Sequence, residues 1–84
     1  MPTVLKEKGF YFFIYSSDRN EPPHVHVEID RRTAKIWLYP IRLSKNFGLR
    51  KHELRFVLQT ARDNEKEIKK AWNKFFKKDK QQGS

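Results

Sequence analysis

Two short segments with a strict two-residue alternation, separated by a turn, constrain this chain more than anything else in it. His24–Ile29 (HVHVEI) places Val25, Val27 and Ile29 on one side of an extended strand and His24, His26 and Glu28 on the other. Thr33–Tyr39 (TAKIWLY) divides the same way, with Ala34, Ile36 and Leu38 against Lys35, Trp37 and Tyr39. Asp30, Arg31 and Arg32 turn the chain between them. The expected product is an antiparallel hairpin with one apolar face and one face of histidines, rings and charge.

The flanking segments extend this hairpin into a small α+β domain. Thr3–Leu5 is short and apolar, and Lys6–Gly9 reads as a polar turn. Phe10–Tyr15 (FYFFIY) has the aromatic and β-branched composition of a strand covered on both faces. Ser16–Pro23 is a loop, and Pro22 and Pro23 hold the chain extended as it enters the histidine strand. Pro40–Leu49 reads as irregular, with Ile41 and Leu43 adding at most a short edge strand and Gly48 marking a turn. Leu54, Leu58, Ala61, Ile68, Trp72 and Phe75 then recur at helical spacing as an inward stripe. The break at Asp63-Asn64-Glu65, with Asn64 and Glu67 as a capping pair, predicts two helices or one kinked helix. The expectation is a sheet of three to four antiparallel strands followed by two C-terminal helices packed on one face. Residues 1–78 form the single domain, and 79–84 form an unstructured polar tail.

Length and composition narrow the function classes. A chain of 84 residues holds one domain and buries only roughly 60% of its unfolded surface. Its aromatic share of 14% therefore matters, because a few large rings supply core area that a short chain lacks. The absence of cysteine excludes disulfides and thiolate zinc sites. No apolar run approaches a membrane span and no signal-peptide pattern opens the chain, so a cytoplasmic protein without membrane contact is expected. Nineteen Lys and Arg against ten Asp and Glu give a net charge of +9, which attracts phosphate backbones through counterion release. RNA is the expected partner.

The chemistry concentrates at His24, His26 and Glu28. Alternate strand residues lie about 7 Å apart on one face. Two imidazoles there can serve as general acid and base, with Arg19 and Arg32 to neutralise phosphate and Asp18 to orient a ring. That set describes a metal-independent ribonuclease with no resident cofactor. The alternative is a divalent metal held by His24, His26 and Glu28, completed by Asp18, Asp30 or His52 if the fold brings one close. The plain structural reading is a solvated histidine pair on an ordinary sheet. Lys35, Trp37 and Tyr39, with Arg32, form the nucleic-acid-binding candidates, since rings stack on unpaired bases and cations hold the backbone. The same rings suit a protein interface, including a homo-oligomer.

The segments GFYFFIYSSDRNEPPHVHVE and AKIWLYPIRL resemble the small bacterial family catalogued as domain of unknown function 4160, from Met1 to Trp72 and Phe76. The likeness lies in the aromatic opening strand, the loop ending in Pro-Pro-His-Val-His-Val and the Trp-Leu-x-Pro strand end. The resemblance implies a toxin-like component of a type II toxin–antitoxin pair, neutralised by an antitoxin-like small protein from the neighbouring gene. Its motif positions fall on Pro23, His24 and His26, with Asp18 at a loop position that is usually acidic or polar. One departure is Arg50 where a capping serine is usual ahead of Glu53-Leu54, which predicts a frayed first helical turn.

Overall fold

Alternation in the sequence becomes five antiparallel strands in chain order, followed by two helices. The computed structural model describes residues 3–15 and 20–83, with side chains as far as residue 76. The elements are β1 (Thr3–Glu7), β2 (Phe10–Phe13), β3 (His24–Ile29), β4 (Arg32–Leu38), β5 (Ile41–Phe47), α1 (Lys51–Asp63) and α2 (Glu65–Gly83). The sheet order is β1-β2-β3-β4-β5. The α+β class with two C-terminal helices is as expected; the strand count of five is higher.

Turn chemistry explains the extra length of β1. Glu7 pairs with Phe10, so only Lys8 and Gly9 turn the chain, with φ of 48° and 86°. Ile29 pairs with Arg32 across Asp30 and Arg31, whose φ values are 48° and 69°. Two successive positive φ values match the right-handed twist of the strands they join.

The irregular segment expected over Pro40–Leu49 is instead the seven-residue strand β5. Ile41 lies opposite Leu38 and packs against the core, and Leu43 lies opposite Ile36 on the same side but stays exposed. The register then shifts, so that Lys45 lies opposite Lys35 and Asn46 opposite Ala34. The bulge at Ser44 breaks the two-residue period, which hid the strand from a pattern reading.

One sheet face carries the core. Phe10, Phe12, Ile14, Val25, Val27, Ala34, Ile36 and Leu38 pack against Leu49, Val57, Ala61, Ile68, Trp72 and Phe76. The helical stripe is rotated slightly from the expected one. Val57, Ala61, Ile68, Trp72 and Phe76 are buried, while Leu54, Leu58 and Phe75 flank them. The first turn of α1 is held despite Arg50, because the Glu53 carboxylate accepts the Arg50 N–H at 2.7 Å. Asn64 does not pair with Glu67 as a cap. Its side-chain amide donates to the Thr60 carbonyl at 2.9 Å and closes α1. The chain re-enters helix at once, so α2 packs as a separate rod. Its backbone runs through 79–83, which the sequence assigned to a tail.

Contacts place α2 across the end of the sheet where β3 begins and β4 ends. Lys69 lies over the Tyr39 ring at 4.1 Å, Trp72 meets His24 at 5.3 Å, and the helix also reaches β1. Among the described residues, no helix is long and apolar enough to cross a membrane.

Candidate functional site

Register decides which side chains share the face opposite the core. His24 lies opposite Trp37, His26 opposite Lys35 and Phe13, and Glu28 opposite Thr33 and Tyr11. At the two edges, Lys6 lies opposite Tyr11, Arg42 opposite Trp37 and Lys45 opposite Lys35. Tyr11, Arg42 and Lys45 are exposed there, and His26, Glu28, Lys35 and Trp37 are half-buried.

The two histidines are neighbours, with ring centres 5.0 Å apart, but their environments differ. His24 is 0% exposed and belongs to the interior. Its Nδ1–H donates to the Pro22 carbonyl at 2.8 Å, which places the proton of a neutral ring on Nδ1. Nε2 is also shielded from solvent, and the ring lies between Trp37 at 5.7 Å and Trp72 at 5.3 Å. The proline pair thus does more than extend the chain, since the carbonyl of Pro22 locks the histidine that follows. His26 reaches the surface. It stacks on Phe13 at 5.7 Å and 21°, and Tyr15 leans on it at 4.7 Å.

General acid–base chemistry needs both groups at the reacting atoms. In this arrangement His26 is reachable and His24 is covered by Trp72. Asp18 and Arg19, the other two residues assigned to catalysis, lie outside the described residues. The metal alternative meets a direct obstacle. Among the described residues no group of three or more histidines and carboxylates converges on a metal position. His24 has committed Nδ1, and Glu28 stands two positions beyond His26, level with Tyr11. His52 lies elsewhere, in a groove with Lys8, Phe10, Ile29, Glu53 and Phe56.

The nucleic-acid candidates separate. Trp37 and Lys35 share the histidine face as expected. The Lys35 side chain is only 15% exposed, ion-paired with Glu21 and set 4.8 Å from the centre of the Trp37 ring. It therefore ties Glu21, just ahead of the proline pair, to the sheet. Tyr39 falls past the end of β4, under Lys69, and leaves the face. Arg32 points to the helix side, opposite Ile29. Both its terminal nitrogens donate to the Glu53 carboxylate, one at 3.0 Å, and Nη1 also reaches the Gly48 carbonyl at 3.3 Å. Those hydrogen bonds from Arg32, then the Arg50 N–H, hold the Glu53 carboxyl down at about 2, and Glu53 in turn raises the Arg32 pKa. Arg32 is the fastener between β4 and α1.

Lys6, Tyr11, Arg42 and Lys45 replace them on the face. A two-residue turn at Lys8-Gly9 would have placed Lys6 opposite Tyr11, where the Lys6 ammonium sits 5.1 Å from the ring centre. Arg42 and Lys45 carry no comparable signal, because the Ser44 bulge lies between them.

Neither the curated proteins nor the solved structures contained a match to this chain. A family model matches residues 9–73, which span β2 to β5, α1 and α2 as far as Asn73 and so include the whole histidine face except Lys6. The chain therefore belongs to the family described as "Domain of unknown function (DUF4160)".

Proposed function

We propose that this protein binds RNA on the sheet face around His26, as the toxin-like component of a bacterial type II toxin–antitoxin pair. One observation supports this reading above the others. The helices neutralise one sheet face by burying it, and the opposite face keeps Lys6, Arg42 and Lys45 beside Tyr11, His26 and Trp37. On a chain of net charge +9, cations interleaved with rings suit a phosphate backbone with exposed bases. The toxin assignment and the small partner protein rest on the family resemblance.

Fluorescence anisotropy with labelled RNA tests the binding. Submicromolar to micromolar affinity at low salt is expected, weakening as salt rises. Arg42→Ala and Lys45→Ala should each lower the salt slope by about 1. Retention of full affinity in the double variant would remove the sheet face from the reading. For the toxin role, expression of the protein should arrest growth, and co-expression of the neighbouring gene should restore it.

A second reading, ribonuclease chemistry by His24 and His26, is favoured by their 5.0 Å apposition. It requires Trp72 to swing off His24. In that case His26→Ala abolishes RNA cleavage while RNA affinity persists. Intact RNA after long incubation with the wild-type protein would leave binding alone.

A further inference from the structure

Trp37, His26 and Tyr11 lie on one diagonal of the sheet. From Trp37 to His26 is one strand across and two residues along, and from His26 to Tyr11 is the same step again. With strands about 4.8 Å apart and a rise of about 3.4 Å per residue, each step is about 8 Å. The central position is a pair, because Tyr15 leans on His26 at 4.7 Å and is itself 41% exposed. Tyr11 is 43% exposed and Trp37 half-buried. Beside the track on the same face, Phe13 stacks on His26, and buried His24 makes T-shaped contacts with both His26 and Trp37. Both of these neighbours are buried and hold the ring spacing.

Spacing discriminates between ligands. Successive bases in a duplex are about 3.4 Å apart along each strand, less than half the step of this track. A duplex therefore cannot set one base on each ring, whereas an unstacked strand with splayed bases can. Cations flank the diagonal on both sides. Arg42 and Lys45 lie beyond Trp37 and Lys35 on β5, and Lys6 lies beyond Tyr11 on β1. Arg42 and Lys45 are exposed, and Lys45 stands directly opposite Lys35.

We propose that this face is a three-base site for unpaired RNA. Bases stack on Trp37, on the Tyr15–His26 pair and on Tyr11, and the backbone is held by Arg42 and Lys45 at one end and Lys6 at the other. The assignment rests on the RNA-binding reading above and specifies the form of RNA. It gives His26 the role of a base platform.

Trp72 is buried in the core and Trp37 is half-exposed, so quenching of intrinsic fluorescence by RNA reports on Trp37. The full chain is titrated with oligouridylates of one to eight nucleotides, a hairpin duplex, oligodeoxythymidylate and polyglutamate. Affinity should climb steeply to three nucleotides and only slowly thereafter. The hairpin should bind at least ten-fold more weakly than a single strand of equal charge. With a labelled uridine trinucleotide read by fluorescence anisotropy, which does not depend on Trp37, Tyr11→Ala and Trp37→Leu should each weaken binding by about ten-fold. Thermal melts confirm folding of both variants, and the Tyr11 site is exposed enough to tolerate truncation if Trp37→Leu does not fold. Equal affinity for hairpin and single strand, with no effect of Tyr11→Ala, overturns the three-base site and leaves general RNA binding standing. Polyglutamate quenching Trp37 as strongly as RNA also overturns it, in favour of an acidic protein ligand. Preference for the deoxy strand overturns the choice of RNA. No quenching and no binding by any RNA removes both this site and the reading on which it rests.

Discussion

Replacing His24 separates a core histidine from a catalytic one. Its ring is wholly buried beside Trp37 and Trp72, and its Nδ1–H donates to the Pro22 carbonyl. Truncating a buried ring to Ala costs about 3–5 kcal/mol for Phe or Trp, and imidazole, smaller and more polar, falls nearer 2 kcal/mol. Loss of a buried hydrogen bond adds about 1 kcal/mol. His24→Ala should therefore destabilise by about 3 kcal/mol, a large share of the roughly 4–13 kcal/mol available to a domain of this size. At about 4–8 °C per kcal/mol, the melting temperature should drop by about 12–24 °C. Two further variants divide the loss. His24→Phe keeps the ring and removes the donor, and should cost about 1 kcal/mol. His24→Asn keeps an amide donor and removes most of the ring, and should cost about 2 kcal/mol. Circular dichroism melts and urea titrations read all three. His26→Ala, at a half-exposed site, should cost about 1 kcal/mol or less. The reasoning fails if His24→Ala melts within 3 °C of wild type, or if His26→Ala is the more damaging of the pair.

Three other outcomes follow from the turns and the Arg32 fastener. Arg31 holds φ of 69° in a two-residue turn, so Arg31→Gly should raise stability by about 0.5–1 kcal/mol in urea titrations. Gly48 sits at φ of 109°, and an added Cβ would stand 3.1 Å from Arg32 Cγ, so Gly48→Ala should cost about 1–2 kcal/mol and shift the thermal melt accordingly. The Glu53 carboxyl is held at about 2 in the fold, below its ordinary value of 4.5. Its contribution is therefore complete above about pH 4.5 and disappears as pH falls towards 2. Acid unfolding curves of wild type and Glu53→Gln should differ at neutral pH and converge near pH 2. A constant gap down to pH 2 would refute the charged Arg32–Glu53 pairing.

The histidine face shows how far pattern reading goes. The pairing of β3 with β4, and the assignment of Lys35 and Trp37 to the same side as the histidines, follow from alternation alone. Arg32 and Tyr39 were legible as a cation and a ring, but not as a strand-to-helix fastener and a residue beyond the strand end. Those roles depend on Glu53 and Lys69, which are 21 and 30 positions away in the chain. Lys45 and Arg42 were hidden for a local reason, since one extra residue at Ser44 reverses the side-chain phase.

Side-chain period and turn type are short-range properties, so the sequence alone determined the sheet class, its apolar face, the two helices and the row on which both histidines stand. Burial is a long-range property. His24 and His26 have the same residue type, the same strand and the same parity, and only the path of α2 across the sheet end distinguishes them. Trp72 covers one imidazole and leaves the other at the surface, and that contact between distant segments decides which histidine can meet a ligand.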